Sequence, residues 1–435
     1  MHSHDSITVP APVDTAPPAG QLPRLLPGGF APGPTSLAEH VRRYGHAPAP
    51  LRDWPRRNAL LDEVERSGLT GRGGAAFPTA LKLAAVAAQA APVVVANGTE
   101  GEPASSKDKV LLARSPHLVL DGAVLAATMV GAREAVVVVH HSVREILDQA
   151  VAERRRARLD RVRIRLVTGA DRFVGGEASA VVNWIERGVP APTLTPPRLS
   201  ERGLGRKPTL VQNVETLAHL ALIARYGASW FRALGTALEP GTMLVTILGA
   251  VNEPCVQEIA IGTPIGEVLS LAGGASAPLQ ALLLGGYFGR WAGASEAVPL
   301  PFSTAGLTPL GAGPGAGLIA ALPADACGLA ETARVVRYLA DESAGQCGPC
   351  LFGLDAVAGE VQRLADGRTS SLATLRRWLG QVDGRRGACR HPDGTVGLIR
   401  SALSVFAAEL DQHAQGWCCA TRKGAVLPVP PRRQP

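Results

Sequence analysis

Short apolar runs alternate with longer amphipathic stretches over the first half of this chain. The runs occupy residues 93–95, 135–139 and 162–167, and the amphipathic stretches occupy 76–90, 116–130 and 143–158. Val and Ile dominate the runs, which favours β-strands, whereas the stretches between them carry helical spacing. This alternation predicts parallel strands joined by crossover helices, with ligands bound beyond the carboxyl ends of the strands. We therefore predict an α/β domain with a parallel sheet over residues 51–237.

The pattern changes near Pro240, where short strands surround a single helix. The predicted strands lie at 242–248, 255–259 and 282–284, and the predicted helix lies at 265–272. These elements predict a small α+β module over residues 238–322. Alternating glycines at residues 311–317 predict a hinge that leads out of it.

The two ends of the chain differ from its middle in their predicted secondary structure. Helices are predicted at 331–340, 351–364, 372–379 and 396–413. We therefore predict a helical domain over residues 323–420, followed by a short tail over 421–435. Residues 1–50 are rich in Pro and Gly and contain one short amphipathic piece, so we predict an arm that packs loosely at best.

Composition narrows the class of protein. No segment offers the roughly 18 uninterrupted apolar residues of a membrane span, and the N-terminus lacks the basic-then-apolar order of a signal peptide. We therefore expect a cytoplasmic protein with no direct membrane insertion. The net charge is +7, but aromatic residues make up only 4% of the 435 residues and the basic residues are scattered. Such a distribution does not indicate nucleic-acid binding.

A glycine-rich stretch precedes the first predicted helix. Residues 71–82 are GRGGAAFPTALK, so three glycines and Arg72 come before a helical pattern that carries Lys82. Glycines let the backbone approach a phosphate, and the N–H groups at a helix N-terminus favour its negative charge. The stretch therefore predicts a phosphate-binding loop. A surface turn is the alternative, since the spacing matches neither the dinucleotide fingerprint nor the P-loop.

Three further polar clusters fall at strand ends or helix starts. They are residues 97–103 (NGTEGEP), residues 175–177 (GGE) and residues 208–217 (PTLVQNVETL). Amides and carboxylates at the carboxyl end of a strand can hydrogen-bond the polyol and ring edge of a ligand. We expect all three clusters to surround one site with the glycine loop. For residues 97–103 taken alone, a solvated acidic turn is the alternative.

The seven cysteines are unevenly distributed along the chain. Five of them lie at or after residue 347, namely Cys347, Cys350, Cys389, Cys418 and Cys419. In a cytosolic chain this crowding indicates metal or redox chemistry in place of disulfides. Cys255 and Cys327 stand alone, and an isolated cysteine is usually a small buried hydrophobe.

Taken in order, these segments resemble the flavoprotein subunit of respiratory complex I, the NADH:quinone oxidoreductase, and its relatives in NAD-linked hydrogenases and formate dehydrogenases. The family signatures are GRGGAGFPTG-K, N-x-D-E-x-E-P, GEE, P-T-x-V-N-N-V-E-T-L and S-C-G-x-C-x-P-C, and the match runs from about residue 65 to 410. The resemblance implies a Rossmann-like FMN/NAD domain with a parallel sheet. A β-grasp (ubiquitin-like, SLBB-like) module and a C-terminal helical bundle with a [4Fe–4S] cluster would follow it.

By matching position, the resemblance implies which residues bind each group. The implied FMN-binding residues are Gly71, Arg72, Gly73, Lys82, Asn97, Glu100, Gly176, Glu177, Gln212, Asn213 and Thr216. The loop backbone and Lys82 would lie near the phosphate. Phe77, Glu102 and Glu177 would contact NAD(H). The implied chemistry is hydride transfer from NADH to FMN, followed by single-electron transfer to the cluster and to a thioredoxin-like or ferredoxin-like protein.

The chain departs from the family pattern around the nucleotide. Thr99, Ala178 and Gln212 replace an Asp, a Glu and an Asn of the signatures, and two expected aromatic residues fall at Ala85 and Arg198. An aromatic contact contributes about 0.5–1.5 kcal/mol beyond burial, so their loss would weaken NADH binding. The sequence therefore supports FMN binding better than NADH turnover.

The cluster motif departs further. Its first cysteine is Ala344, which leaves Cys347, Cys350 and Cys389 where a [4Fe–4S] cluster normally has four thiolates. The candidates for a fourth ligand are His391, Cys418 and Cys419. A [3Fe–4S] cluster, no cluster at all and a Cys₃His zinc site that includes His391 are the alternatives.

These departures leave two alternatives to an NADH dehydrogenase-like flavoprotein. The lost aromatic and acidic positions also suit an FMN and iron–sulfur module that takes electrons from a ferredoxin-like partner. Ala344 and Ala178 together also suit a cofactor-free assembly subunit that keeps only the fold.

Overall fold

The structure is a computed structural model that describes residues 20–22, 24–26, 33–46, 54–194, 196–368, 372–418, 420–422 and 424–431. Its α-helices are α1 Leu37–Tyr44, α2 Trp54–Ser67, α3 Thr79–Ala87, α4 Lys107–Arg114, α5 Pro116–Val130, α6 Arg144–Arg156, α7 Ala178–Arg187, α8 Val214–Arg232, α9 Ile265–Ser270, α10 Ala294–Ala297, α11 Thr304–Leu307, α12 Gly328–Asp341, α13 Leu354–Ala365, α14 Leu372–Val382, α15 His391–Val405 and α16 Ala407–Ala414. Its strands are β1 Val93–Gly98, β2 Glu134–Val139, β3 Arg163–Thr168, β4 Thr209–Asn213, β5 Thr242–Gly249, β6 Cys255–Ala260, β7 Leu279–Leu284, β8 Arg290–Gly293 and β9 Leu318–Pro323.

The predicted parallel sheet is confirmed, and it has four strands in the order β3-β2-β1-β4. Helices cover both faces, so alternate residues of one strand enter different cores. On β1, Val94 and Ala96 pack with α5 and α8, whereas Val93 and Val95 pack with α7. This two-sided burial explains the unbroken apolar run that marks the strand in the sequence.

A second sheet has five strands in the order β6-β5-β9-β7-β8, with β5 and β9 parallel and the other pairs antiparallel. The predicted glycine hinge is wrong, because residues 311–317 lead into β9, the middle strand of this sheet. A Cβ on Gly315 would lie only 2.2 Å from the carbonyl oxygen of Gly285. The glycines therefore permit close backbone packing.

Helices α12 to α16 form a layer against the second sheet. Ala281 and Leu283 of β7 pack with these helices, and Leu282 and Leu284 enter the core on the opposite face. The helix predicted over 396–413 is two helices, α15 and α16, which are separated at Phe406. The Phe406 ring lies 5.2 Å from that of Trp291 in an edge-to-face contact, so the break carries an aromatic side chain into the core.

The prediction of a loosely packed N-terminal arm is wrong for the described residues 24–26. The Arg24 guanidinium stacks 3.8 Å above the Trp230 ring and donates to the carbonyl oxygens of Trp230 and Phe231. The backbone N–H groups of Arg24 and Leu25 both donate to the Glu258 carboxylate at 2.7 Å. Charge-assisted hydrogen bonds tie this polar segment to the core. Residues 1–19 of the predicted arm lie outside the described ranges.

The described part of the predicted tail also packs against the chain. Val426 and Leu427 donate backbone hydrogen bonds to the Glu331 carboxylate, each at 3.0 Å. The Tyr287 hydroxyl donates to the carbonyl oxygen of Pro428 at 2.6 Å. The C-terminal segment is therefore attached to both α12 and the second sheet.

Among the described residues, no single helix has the length and apolar character needed to cross a bilayer. The pair α4 and α5 passes the same criteria only when joined, and the two helices are bent by 97° at their break.

We predict that Arg24→Ala lowers the free energy of unfolding by about 2 kcal/mol, because it removes the stacking on Trp230 and two buried hydrogen bonds. Calorimetry or chemical denaturation of the full chain measures this loss. Arg42→Ala is the control, because Arg42 is exposed at the end of α1. Equal effects of the two substitutions would contradict the prediction.

Candidate functional site

The candidate site lies where the order of the parallel strands reverses. In the order β3-β2-β1-β4 the chain moves outward from β1 in both directions, and such a switch point opens a crevice at the carboxyl ends of the two strands. Asn97 at the end of β1 and Asn213 at the end of β4 are register partners. Two of the predicted polar clusters therefore meet at one edge of the sheet.

The glycine loop closes against the same edge. The Gly71 N–H donates to the Phe77 carbonyl at 2.9 Å, which folds residues 71–77 into a compact loop before α3. A Cβ on Gly73 would lie 3.3 Å from the Cβ of Asn213, so the loop backbone comes within contact of the end of β4. Phe77 keeps 52% of its surface exposed. Its ring is therefore open to a stacking ligand.

Lys82 is held at the crevice by residues of β4. Its ammonium donates to the Val211 carbonyl at 2.6 Å and to Gln212 Oε1 at 3.3 Å. The Gln212 amide in turn donates to Thr79 Oγ1 at 3.2 Å, at the first residue of α3. Burial lowers the pKa of Lys82. Gln212 thus positions the lysine and the start of α3 together.

The Arg72 side chain is buried and hydrogen-bonded within the protein, which does not support its predicted contact with the flavin. The guanidinium is buried and donates to the carbonyl oxygens of Thr70, Pro240 and Thr242. The backbone N–H of Arg72 donates to Thr216 Oγ1 at 2.9 Å. Both donors are satisfied inside the protein, so Arg72 and Thr216 anchor the loop, and a flavin contact through the Arg72 guanidinium is not supported.

The cluster at residues 97–103 and the cluster at residues 175–177 are joined directly. The Asn97 amide donates to the Gly176 carbonyl at 2.9 Å, and its oxygen accepts from the Thr99 N–H at 3.2 Å. Glu177 is the N-cap of α7 and accepts from the N–H groups of Ser179 and Ala180, each at 2.9 Å. All four predicted clusters therefore converge on the crevice.

Glu100 also has an internal role that the sequence did not predict. Its buried carboxylate accepts from the N–H groups of Asp108 and Lys109 and from Ser105 Oγ. Burial raises the pKa of Glu100. The predicted flavin contact through this carboxylate is not supported, because its oxygens cap the start of α4.

Glu102 links the crevice to the second sheet. Its carboxylate accepts from the Tyr287 N–H at 2.8 Å and from the Ala104 N–H at 3.4 Å. Burial raises the pKa of Glu102 to about 7. The carboxyl also lines a cavity of about 440 Å³ that extends from residues 99–103 to the C-terminal residues 429–431.

A buried ion network underlies the crevice, and sequence reasoning did not identify it. The Lys107 ammonium contacts Asp108 at 2.7 Å and Glu215 at 2.8 Å. Asp108 accepts from the Asn213 amide at 2.7 Å, and Glu215 accepts from the Leu244 N–H of β5 at 2.8 Å. Burial disfavours the Lys107 charge, but the two carboxylates outweigh it and raise the lysine pKa. The sequence signal available for it was the pair Lys107-Asp108, which follows the cluster at residues 97–103, and Glu215 within the cluster at residues 208–217.

The three predicted cluster cysteines lie near one another. Cys350 is buried in a π-helical turn, Pro349–Gly353, and its N–H donates to the Cys347 carbonyl at 3.0 Å. Burial, together with Cys347 and Cys389, raises the pKa of the Cys350 thiol to about 12. Burial also raises the pKa of Cys389, and the Glu177 charge acts in the same direction. Cys389 therefore lies near the α7 terminus that borders the crevice. Iron bound by these cysteines would supply a positive charge that favours their thiolate forms.

The fourth-ligand candidates are separated by the fold. His391 is buried, its Nε2 lies 2.7 Å from the Leu339 carbonyl, and its Nδ1 has no hydrogen-bond partner within the described chain. Cys418 lies instead beside Cys327 and His413, with the three ligand atoms within 4.8 Å of one another. Helix α12 places Cys327 about 18 Å from Leu339, since each helical residue rises about 1.5 Å. Cys418 is therefore the wrong candidate, and Cys419 lies outside the described residues.

Comparison with known proteins assigns these regions to family models. Residues 64–222 match the model described as "Nuo51 FMN-binding domain", which spans all four polar clusters. Residues 244–286 match the SLBB domain, and residues 330–413 match the "NADH-ubiquinone oxidoreductase-F iron-sulfur binding region". The last range contains Cys347, Cys350, Cys389 and His391 but ends before Cys418.

Relatives that match along most of their length agree with these assignments. The F subunit of the NADH-quinone oxidoreductase of Rickettsia felis is 30% identical over 404 residues, which cover 85% of this chain and 93% of the relative. The chain belongs to the family of NADH-quinone oxidoreductase F subunits. An F subunit of the same enzyme from Rhizobium meliloti is 29% identical over 381 residues, with coverage of 83% and 90%.

Solved structures place this F-type fold in a second context. A polypeptide of an NAD⁺-reducing [NiFe]-hydrogenase in the air-oxidised state superposes with a TM-score of 0.76 at 31% identity. The match covers 82% of this chain and 63% of the hydrogenase polypeptide, so the F-type protein spans less than two thirds of that neighbour.

We predict that Glu102→Gln changes the pH dependence of stability. A carboxyl with a raised folded-state pKa retains its proton longer when folded, so its contribution to stability falls as the pH rises from about 4.5 to about 7. Glutamine keeps an acceptor for Tyr287 without the buried charge. Relative to the wild type, the free energy of unfolding of the variant should rise by an amount on the order of 2 kcal/mol between these limits.

Urea unfolding at pH 5 and pH 8 measures this difference. Glu145→Gln is the matched control, because Glu145 is exposed on α6. The prediction fails if Glu102→Gln shows the same offset from the wild type at both values.

Proposed function

We propose that this chain is an NADH-binding flavoprotein that passes electrons from NADH through FMN to an iron–sulfur cluster and a partner protein. The observation that carries the proposal is the meeting of four polar segments at the switch point of the parallel sheet, inside the range that matches the FMN-binding model. The same proposal divides the chain into an FMN/NAD domain over 51–237, a β-grasp module over 238–322 and an iron–sulfur domain over 323–420.

The residues at the crevice fit a flavin mononucleotide. The loop of residues 71–77 presents backbone beside Asn213, and the Lys82 ammonium has one N–H beyond its two internal acceptors for a phosphate oxygen. When bound, FMN supplies an acceptor for hydride and a donor of single electrons. The loop and Lys82 would hold its phosphate, while the joined segments of Asn97 and Gly176 would border its ring.

Phe77 would orient the nicotinamide nucleotide. Its exposed ring lies on the glycine loop, where it can stack on a planar ligand and exclude water from one face. Glu102 lines the adjoining cavity and has a pKa near neutrality, so it can hold a hydrogen bond there in either protonation state. NADH-quinone oxidoreductase subunits and an NAD⁺-reducing hydrogenase among the relatives support NADH as the donor.

The cluster residues fit a site with three thiolates and one nitrogen. Cys347, Cys350 and Cys389 supply the thiolates, and the Leu339 carbonyl orients the His391 ring so that Nδ1 keeps its lone pair. These cysteines lie inside the range 330–413 that matches the iron–sulfur binding region, which favours a cluster of several irons over a single zinc ion.

A second candidate function is supported by two particular positions. Ala85 and Arg198 are exposed and carry no aromatic ring where the family pattern has one. An FMN and iron–sulfur module that receives electrons from a ferredoxin-like partner would tolerate this loss. In either case the exit partner would be a thioredoxin-like or ferredoxin-like protein, and the location would be cytoplasmic.

Stopped-flow reduction separates these functions. The purified protein should be yellow-brown and release FMN on denaturation, and NADH should bleach its flavin within the time of one turnover. Bleaching by a reduced ferredoxin but not by NADH would favour the second function. A colourless protein that contains no iron and cannot take up FMN would refute both and leave the assembly subunit.

We predict that Lys82→Met raises the dissociation constant of FMN on the order of 10- to 100-fold, because a charge-assisted contact to phosphate is lost. Fluorescence titration of the flavin-depleted protein measures the constant. Lys207→Met is the control, because it removes the same kind of side chain from an exposed position outside the crevice. Unchanged affinity in the Lys82 variant, with a normal melting temperature, would contradict the predicted phosphate contact.

We predict that His391 is the fourth cluster ligand through Nδ1. Pulsed EPR of the reduced wild type should show hyperfine coupling to one ¹⁴N nucleus, and His391→Ala should lose this coupling while keeping FMN. His141→Ala is the control, because His141 is exposed in the α/β domain. The same nitrogen coupling in the His391 variant would rule the ligand out.

A further inference from the structure

A second candidate metal centre lies at the opposite end of α12 from the cluster cysteines. Cys327 precedes α12, His413 lies in the last turn of α16, and Cys418 follows that helix by four residues. Their ligand atoms lie within 4.8 Å of one another. Cys327 was predicted from the sequence to be a small buried hydrophobe. In the structure it belongs to a cluster of side chains that can bind a metal.

The spacing of two of these atoms matches a tetrahedral ion. Cys327 Sγ lies 3.5 Å from His413 Nε2. Zinc with a sulfur at about 2.3 Å and a nitrogen at about 2.0 Å would separate these atoms by about 3.5 Å. A thiol hydrogen bond to the imidazole explains this pair alone, but it does not explain why a second cysteine lies beside both atoms.

The backbone brings Cys418 to this place by a specific turn. Gly416 adopts a left-handed conformation with φ of +85°, its N–H donates to the His413 carbonyl, and the Trp417 N–H donates to the Gln412 carbonyl. This is the Schellman arrangement, which reverses the chain at a helix end. The N–H groups of Thr421 and Arg422 then donate to the Asp325 carbonyl, two residues before Cys327. Hydrogen bonds on both sides of Cys418 thus hold it near Cys327.

The electrostatics favour a bound cation. Cys327 caps α12 and accepts from the Ala330 N–H at 3.3 Å, where the positive end of the helix dipole favours a negatively charged sulfur. The buried Glu409 carboxylate lies 3.5 Å from the same sulfur and accepts from the N–H groups of Gly328 and Leu329. A divalent ion would balance this concentration of negative charge.

We propose that Cys327, His413 and Cys418 bind a structural zinc ion, with Glu409 or water at the fourth position. Two sulfurs and one imidazole are the ligands that zinc prefers in such sites. Cys327 and His413 are buried, whereas Cys418 is exposed, so an ion can reach the site from solvent. The ion fastens the start of α12 to the end of α16 and to the C-terminal segment that continues to the cavity beside Glu102.

Elemental analysis of the full chain, purified without chelators and loaded with iron and FMN, tests the proposal. We expect about one zinc per chain in addition to iron, and X-ray absorption at the zinc edge should show two sulfurs at about 2.3 Å with nitrogen or oxygen neighbours. Absence of zinc from the wild type would overturn the assignment. Coordination by three sulfurs would overturn it as well, because the assigned ligands include only two.

Variants locate the ion. Cys418→Ser alters an exposed side chain and should reduce zinc to background while leaving FMN and iron contents unchanged, and His413→Gln should do the same. Cys255→Ser is the control, because Cys255 is an isolated cysteine in β6, and it should keep its zinc. Zinc retained in both Cys418→Ser and His413→Gln, or lost in Cys389→Ser instead, would refute the site.

Discussion

The buried pairing of Lys107 with Asp108 and Glu215 is the interaction on which the site geometry depends. Transfer of a charge out of water costs several kcal/mol, and two carboxylates at hydrogen-bond distance offset that cost for the lysine. The network is also a junction. Asp108 accepts from Asn213, Glu215 accepts from the first strand of the second sheet, and Thr216 accepts from the glycine loop. Loss of Lys107 would leave two carboxylates buried without their cation at the base of the crevice.

Many other polar residues of the motifs also hydrogen-bond to the protein's own backbone. Arg72 donates to backbone carbonyls, Glu100 caps α4 and Glu177 caps α7. Each of these side chains holds a segment in place, and the backbone or a neighbouring side chain of that segment is left available to contact a ligand. Lys82 and the exposed Phe77 are the clearest of these remaining contacts. The motifs thus describe a scaffold around the ligand as much as the contacts to it.

The helical layer places the cluster cysteines beside the crevice. It also separates them from the proposed zinc site at Cys327. Glu177 lies near Cys389, so the α7 terminus beside the crevice is also beside the cluster cysteines. Helix α12 extends from Cys327 at one end to Leu339, the partner of His391, near the other. A zinc ion at Cys327 would hold the helical layer together, whereas the iron–sulfur cluster would lie near the Leu339 end of α12.

The sequence by itself determined the classes of element and the chemistry available to them. Valine runs between amphipathic stretches specify buried parallel strands, because only strands covered on both faces tolerate such runs, and the ordered motifs identify the flavin and cluster regions. It did not indicate β4 as a strand, since five residues followed at once by a helix leave little periodicity to detect. Only the tertiary structure decided that β4 lies beside β1, that residues 311–317 enter a central strand, and that Cys418 lies with Cys327 and not with Cys389. These outcomes depend on contacts between residues far apart in the chain, which local pattern and spacing do not encode.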